Sequence, residues 1–365
     1  MRRLGFGCMR LPMTAEGEVD QTRFERMIDR YMEAGFRYFD TAHVYLEGRS
    51  ETALRAGLVE RYPRESFFLT DKLSGSQFSA EAEIRPLFEK QMKALGIERL
   101  DMYLMHAMNA EVYEKFSRLR AFENAAALKA EGRIDHMGIS FHDRPEVLER
   151  ILTERPEIEA VQIQLNYADI DSPSIQAGAV YEVCRRFGKP VLVMEPVKGG
   201  GLAALPPAAE AVLAGLGGGS PASYAIRYAA SFEGVAMVLS GMSDEAQMED
   251  NLRTMSDFRP LDEGEKAALA EVRRILREEN AIACTGCRYC AAGCPKSIPI
   301  PEIFACVNTK RRYADWGSDT YYGVLTTGRG RASDCVRCGR CESICPQHLP
   351  IREELSRAAS LFDGI

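Results

Sequence analysis

The stretch TRFERMIDRYMEAGFRYFDTA, residues 22–42, sets the pattern on which the fold is read. Its first part reads as a helix that stops at Gly35. The remainder, FRYFDTA (36–42), reads as a strand with Asp40 near its end. The same alternation runs along the chain. FFLTDK (67–72) is a strand, and LDMYLMH (100–106) is a strand after the helical EIRPLFEKQMKALG. HMGISF (136–141), AVQIQLNY (160–167), PVLVMEPV (190–197) and GVAMVLSGM (234–242) follow, each after a helical run. With LGFGCM (4–9) the count is eight strands. Their continuous apolar character argues a parallel sheet covered on its outer face. Eight such units in about 250 residues match a (β/α)8 barrel of the α/β class. An open doubly wound sheet is the competitor. It calls for a G-x-G-x-x-G turn after an early strand, which this chain lacks. GLGGGSP (215–221) is glycine-rich, but Ser220 and Pro221 read as the start of the helix ASYAIRYAAS.

Composition narrows the class. The net charge is −7, and 46% of the residues are hydrophobic. No basic excess points to nucleic acid. No run of 18 apolar residues suggests a membrane span, and MRRLGFGCMRLP has neither the apolar core nor the cleavage site of a secretory signal. A cytoplasmic location is the expectation.

Eleven cysteines need explaining. Eight fall in CTGCRYCAAGCPKSIPI (284–300) and CVRCGRCESICPQHLPI (335–351), two copies of C-x2-C-x2-C-x3-C-P. Disulfides belong to secreted chains, and zinc sites to paired C-x2-C knuckles. Three cysteines at short intervals and a fourth before proline form the bacterial iron–sulfur run, in which the fourth cysteine ligates the other cluster. The expected ligands of one [4Fe–4S] cluster are therefore Cys284, Cys287, Cys290 and Cys345. Those of a second are Cys335, Cys338, Cys341 and Cys294. Cys8, Cys184 and Cys306 read as small buried residues. Each motif runs into a helical stretch, IPEIFACVN or IREELSRAASLF, so the two halves form a pseudo-symmetric dicluster unit. The long insert between them, with TKRRYADWGSDTYYGVL and the only Trp, is expected to attach this unit to the rest of the chain. Residues 281–350 carry nine Lys and Arg against five Asp and Glu. That excess neutralises anionic clusters or, through Arg329 and Arg331 or Lys310, Arg311 and Arg312, forms a docking patch. The expected domains are a barrel over 1–260, a helical linker over 261–280 and a ferredoxin-like, mainly helical dicluster domain over 281–365.

In a barrel, chemistry sits where strands end. The polar residues there are Asp40, Lys72, His106, Ser140 and Glu195, with Tyr45 in the loop beyond Asp40. Singly each has an ordinary explanation, as a loop cap, a solvated cation, a rim aromatic or a satisfied histidine. Together DTAHVYLEGRSE, the strand ending in Lys72, and DMYLMH resemble three motifs of the aldo/keto reductase family, over roughly residues 4–256. With the cysteine motifs attached, the chain resembles the branch of that family bearing a C-terminal 4Fe–4S dicluster domain.

The resemblance implies a catalytic tetrad of Asp40, Tyr45, Lys72 and His106. Tyr45 is then the general acid, its pKa lowered from about 10 by Lys72. Asp40 holds Lys72, and His106 orients the substrate oxygen. It also implies NADP or NAD across the barrel mouth. Ser140 and Gln162 match positions that hold the carboxamide, and Met194 stands where many members stack an aromatic ring. The loops EPVKGGG (195–201) and SGMSDEAQ (240–247) match the pyrophosphate region, with Glu195, Lys198, Gly199, Gly200 and Ser240 as candidate contacts. Asn251 and Glu249 match the adenine contacts. Gly241 and Gln247 stand where NADP-specific members carry a lysine and an arginine, and Phe141 and His142 stand where asparagine is frequent. The partner so implied is a small carbonyl or alcohol substrate.

Nicotinamide moves a hydride, whereas a cluster moves one electron, and joining them calls for an intermediary such as FMN. Three readings follow. The first is an NAD(P)-linked reductase with clusters that are structural or face a partner. The second is a ferredoxin-linked oxidoreductase, its partner a ferredoxin or another redox protein. The third is a non-catalytic redox sensor, against which the complete tetrad weighs.

Overall fold

The computed structural model describes residues 2–172, 175–278, 282, 284, 286–313, 317–345 and 347–364. Trp316, in the insert expected to attach the cysteine-rich part, lies outside the described residues. The chain divides into two compact units. One holds Met1–Asn166, Val180–Val197 and Ala222–Leu261, the other Tyr167–Ala179, Lys198–Pro221 and Asp262–Ile365.

The first unit is the barrel. Its strands are β1 (Leu4–Gly7), β2 (Tyr38–Asp40), β3 (Phe68–Leu73), β4 (Leu100–Met108), β5 (Ile134–Phe141), β6 (Ala160–Gln164), β7 (Val191–Met194) and β8 (Val235–Ser240). They pair in chain order, all parallel, and β8 closes on β1. Successive side chains on a strand point to opposite faces, so alternate residues share the interior. Tyr38, Met102, Leu104, Ala160, Leu192, Met237 and Leu239 pack there as one buried cluster with Phe68 against it. Two glycines make room: a Cβ on Gly5 would lie 2.6 Å from the Leu239 side chain, and one on Gly138 2.5 Å from the Ala160 carbonyl oxygen.

Moving one or two interior positions toward the strand ends replaces this apolar layer with Asp40, Lys72, His106, Ser140 and Gln162. Outside, the helix Gln21–Glu33 buries Phe24, Met27, Ile28, Tyr31 and Met32. It starts where the Asp20 carboxylate accepts from the Arg23 N–H, and it ends before Gly35 at φ +82°.

The second unit contains the cysteine motifs, and its limits differ from the contiguous blocks expected. The segments after β6 and β7 group with the C-terminal residues. The stretch expected as a linker is mostly the helix Glu263–Glu278, which packs on the helix Pro207–Ala214. A Cβ on Gly201 would lie 2.2 Å from the Tyr313 ring, so that glycine admits a close approach to the helix Ile300–Tyr313. The two helices expected after the cysteine motifs are Ile300–Tyr313 and Ile351–Phe362. Ile298, Ile300, Ile303, Phe304, Val307, Ile351 and Leu355 form their shared core together with Cys290, Cys341 and Cys345. Between them the helix Gly317–Thr326 brings Tyr322 into a stack on Phe362, at 4.4 Å between ring centroids.

Candidate active site and cysteine-lined cavities

β2 and β3 set the polar centre of the barrel unit. Their register places Asp40 beside Thr70, and Lys72 lies one interior step further along β3. The Lys72 ammonium donates to Asp40 Oδ1 at 2.5 Å and to the Thr41 carbonyl at 2.7 Å. Lys72 is fully buried and Asp40 nearly so. Burial works against the ammonium, but Asp40, and after it Tyr45, outweigh burial and hold the Lys72 pKa above its ordinary value. Lys72 is therefore a fixed positive charge.

Tyr45 follows in the turn Tyr45–Gly48, and its ring centroid lies 4.7 Å from Lys72 Nζ. The His106 ring meets the Tyr45 ring edge-on, 5.8 Å between centroids. The structure thus brings together all four residues expected at the tetrad. The expected lowering of the Tyr45 pKa is absent. Burial is the strongest influence and raises it, Lys72 pulls it down, and Asp40 adds to the rise. His106 is held neutral: burial, then Lys72 and His142, depress its pKa well below the ordinary histidine value. His142 occupies the next interior position of its strand face after Ser140, and burial and Lys72 push its pKa down to about 4.

Three polar groups of the barrel unit, one of them in contact with the tetrad, lay outside the sequence reading. Ser74 Oγ sits 2.6 Å from His106 Nδ1. A serine two residues past a strand lysine carries no pattern of its own. Arg10, in the loop after β1, faces the segment after β8: Ser243 Oγ donates to the Arg10 carbonyl at 3.3 Å, and the guanidinium pairs with Glu195 at 3.7 Å. Its position just beyond a strand end was the available signal. Glu51 is fully buried, 2.7 Å from His43 Nδ1.

The expected nicotinamide contacts divide. Gln162 Nε2 donates to Asp40 Oδ2 at 2.9 Å, so this amide braces the tetrad. Ser140 Oγ accepts from the Ala107 N–H at 2.7 Å and keeps its own proton for a further acceptor. A hydroxyl donor beside an amide oxygen acceptor complements a carboxamide, so the donor set fits that group. Ser240 and Asn251 are bonded to each other at 3.0 Å and buried. Gln247 is exposed and accepts from the Ser243 N–H. Glu249 is bound to Arg30. Met194 is half-buried at the end of β7, and Gly241 follows the last residue of β8. Lys198, Gly199 and Gly200 belong to the second unit. There Lys198 is buried, paired with Asp169 at 2.6 Å, with the Tyr313 ring 5.3 Å away.

In the second unit one cavity is lined by Cys284, Cys287, Cys290 and Cys345, and another by Cys294, Cys335, Cys338 and Cys341. Each set joins three cysteines of one motif to the fourth of the other. Among the described residues no three His, Cys, Asp or Glu side chains converge on a point fit for one metal ion. A cubane presents four separate irons and needs thiolates spread around it, so these two observations agree. The three remaining cysteines, Cys8, Cys184 and Cys306, are buried.

Comparison with known proteins accords with this anatomy. Residues 3–274 match the model of the aldo/keto reductase family, and residues 283–349 match that of the 4Fe-4S dicluster domain. An aldo-keto reductase of Mycolicibacterium smegmatis is 31% identical over 179 residues, 47% of this chain and 62% of that relative's length. The human aldo-keto reductase family 1 member C2 is 33% identical over 105 residues, 28% of this chain and 31% of its own. Among solved structures, the holo form of aldo-keto reductase AKR11C1 from Bacillus halodurans aligns with a TM-score of 0.60 at 26% identity, over 74% of this chain and 91% of its own. A Klebsiella pneumoniae aldo-keto reductase in complex with NADPH aligns with a TM-score of 0.60 at 19% identity, over 74% and 90%, a likeness of fold. The chain belongs to the aldo/keto reductase family and carries a 4Fe–4S dicluster domain C-terminal to its barrel.

Proposed function

We propose that this chain interconverts a small carbonyl compound and its alcohol with NADP(H) or NAD(H), and that its cysteines hold two [4Fe–4S] clusters. One observation carries the catalytic reading: the buried Asp40–Lys72 pair beside the Tyr45 ring, with His106 at the edge of that ring. The nicotinamide, when bound, supplies the hydride. Everything else falls to the chain's own residues.

Reduction of a carbonyl builds negative charge on oxygen and consumes a proton. The Tyr45 phenol donates that proton. Its raised pKa keeps it loaded at neutral and mildly alkaline pH. The phenolate left behind faces the Lys72 ammonium in a water-poor site, where one charge stabilises the other strongly. Asp40 keeps Lys72 charged and fixed, and Gln162 and the Thr41 carbonyl fix the pair in turn. His106 stays neutral, and the Ser74 hydroxyl donates to its Nδ1. The imidazole proton is then on Nε2, free to be donated to the substrate oxygen. Ser140 and Gln162 Oε1 offer a donor and an acceptor to a carboxamide, and Arg10 offers a cation to a phosphate.

The clusters would be held by Cys284, Cys287, Cys290 and Cys345, and by Cys335, Cys338, Cys341 and Cys294. They supply one-electron chemistry. Cys287 and Cys338 are exposed, which favours exchange with a redox protein.

The test combines one variant with two readouts. Tyr45→Phe should reduce carbonyl reduction by at least about a hundredfold and leave nicotinamide binding intact. Unchanged turnover would overturn the assignment. Adding NADPH to anaerobic protein separates the two roles of iron. Bleaching of the cluster absorption means electrons pass between nicotinamide and iron. Aldehyde-dependent NADPH oxidation without bleaching means the barrel works alone.

A further inference from the structure

We infer that the face around the second cysteine motif is the docking surface for an acidic one-electron carrier protein. The inference rests on the proposal that the cysteines hold clusters.

Among the described residues only three large hydrophobic side chains are exposed, Met13 at 38%, Val336 at 55% and Ile344 at 52%. Two of the three lie inside CVRCGRCESIC (335–345), one next to its first cysteine and one next to its last. The cavity lined by Cys294, Cys335, Cys338 and Cys341 is also edged by Lys296, Arg337, Arg340 and Arg352, with no carboxylate in its lining. Arg352 is neutralised by Glu342 at 2.6 Å. Lys296, Arg337 and Arg340 are exposed and form no ion pair among the described residues. Asp334 is the acidic side chain next to the motif, and it is engaged by the Arg331 N–H.

Neutralisation of an anionic cluster does not account for these cations. The other cysteine cavity has the same four thiols and one cation, Arg288, whose charge is cancelled by Glu302 at 2.7 Å. The internal repeat shows the same asymmetry. In apolar residues, where the second motif has Val336 and Ile344, the first has Thr285 and Gly293. Each motif has two cations, Arg337 and Arg340 against Arg288 and Lys296, but Lys296 lines the second cavity and Arg288 is paired. Equal cluster chemistry with unequal rims points outward, to a partner. An exposed valine on the same cavity rim as unpaired cations fits an anionic protein surface: the cations steer the encounter, and the apolar side chain helps hold it. Three of the other basic residues considered in the sequence are already paired. Lys310 pairs with Asp319, Arg311 with Glu354 and Arg331 with Asp363.

The test uses the anaerobic, iron-loaded full chain and an oxidised, acidic plant-type ferredoxin as probe, with binding measured calorimetrically at low and high ionic strength. The expected result is salt-sensitive binding, weakened at least about tenfold by the pair Arg337→Glu and Arg340→Glu. Val336→Asp should weaken it at both ionic strengths. Arg118→Glu, on an exposed helix end of the barrel unit, should leave it unchanged. If the Glu pair disturbs iron loading, the Gln pair replaces it and should lose less affinity in the same direction. Wild-type binding by the charge-reversed pair, or equal weakening by Arg118→Glu, overturns the inference. So does self-association of the chain that Val336→Asp abolishes, or binding to anionic phospholipid vesicles in place of ferredoxin. Protein without iron would count instead against the cluster assignment, so the two failures are distinguishable.

Discussion

Tyr45 shows how far a residue's role can be read before its surroundings are known. Its identity and order with Asp40, Lys72 and His106 were legible, because the residues stand at strand ends in one chain order. Its pKa was not, because burial depends on what covers the ring, and burial outweighs Lys72. The direction of the shift has a consequence. A phenol with a raised pKa donates a proton over a wide pH range, whereas the reverse reaction needs phenolate. Carbonyl reduction should therefore stay level through mildly alkaline pH while alcohol oxidation climbs. Initial rates in both directions across pH 6–10 measure this, and a reduction rate that falls near neutrality would contradict it. Ser74 escaped the sequence altogether, since its meaning lies in a 2.6 Å contact with His106. Ser74→Ala frees the imidazole to take either tautomer. It should lower kcat by about tenfold with KM little changed. Ser74→Thr, which keeps the hydroxyl, should recover part of the loss, whereas a purely structural role would show equal damage in both variants.

At the level of elements, the segment from Thr41 to the helix Arg49–Leu54 must be held so that Tyr45 lies against β3. Its polar anchors are buried. Thr41 Oγ1 and Ser50 Oγ are 2.7 Å apart, and Ser50 donates to the Cys8 carbonyl at 2.7 Å. Glu51 meets His43 on one side and Asp71 of β3 on the other, and Gln91 Nε2 donates to Asp71 at 3.0 Å. The Glu51 and Asp71 carboxyls are both fully buried. Burial lifts the Glu51 pKa to about 7, with Asp71, Gln91 and Lys90 pulling the other way. It lifts Asp71 further, helped by Glu51. A carboxyl whose folded pKa exceeds its unfolded value favours the fold below the unfolded pKa. That contribution is lost as pH rises through the folded pKa. Between about pH 4.5 and 7 this group should therefore reduce stability as pH rises. Glu51→Gln should flatten that part of the stability–pH curve, as measured by urea unfolding. An unchanged slope would show that Glu51 does not titrate in this window. The barrel itself was legible, because eight apolar strands between helical runs leave few alternatives. This carboxyl pair was not, because Asp71 and Lys72 are neighbours in sequence that point to opposite faces of β3.

The whole molecule joins a unit whose core is apolar side chains to one whose core includes three of its own candidate iron ligands. Cys290, Cys341 and Cys345 are among the buried core residues of the C-terminal unit. The cysteine spacing made the motifs legible. It could not show that residues 167–179 and 198–221, far away in sequence, group with them, because long-range packing leaves no local pattern. If the two cavities hold clusters by exchanging fourth ligands, damage to one motif must appear at the other. Cys345→Ser should strip the cluster held by Cys284, Cys287 and Cys290 and spare the one held by Cys335, Cys338 and Cys341. Iron should fall from about eight to about four per chain. Because the lost thiolate lies in the core, the C-terminal unit should also unfold at a lower temperature, while barrel unfolding and nicotinamide binding stay as in the parent. Colorimetric iron counts and calorimetry on the anaerobic protein read both effects. Retention of all the iron would refute the exchange of ligands. Loss of all the iron would mean the two sites form only together, a stronger coupling than two separate cavities imply.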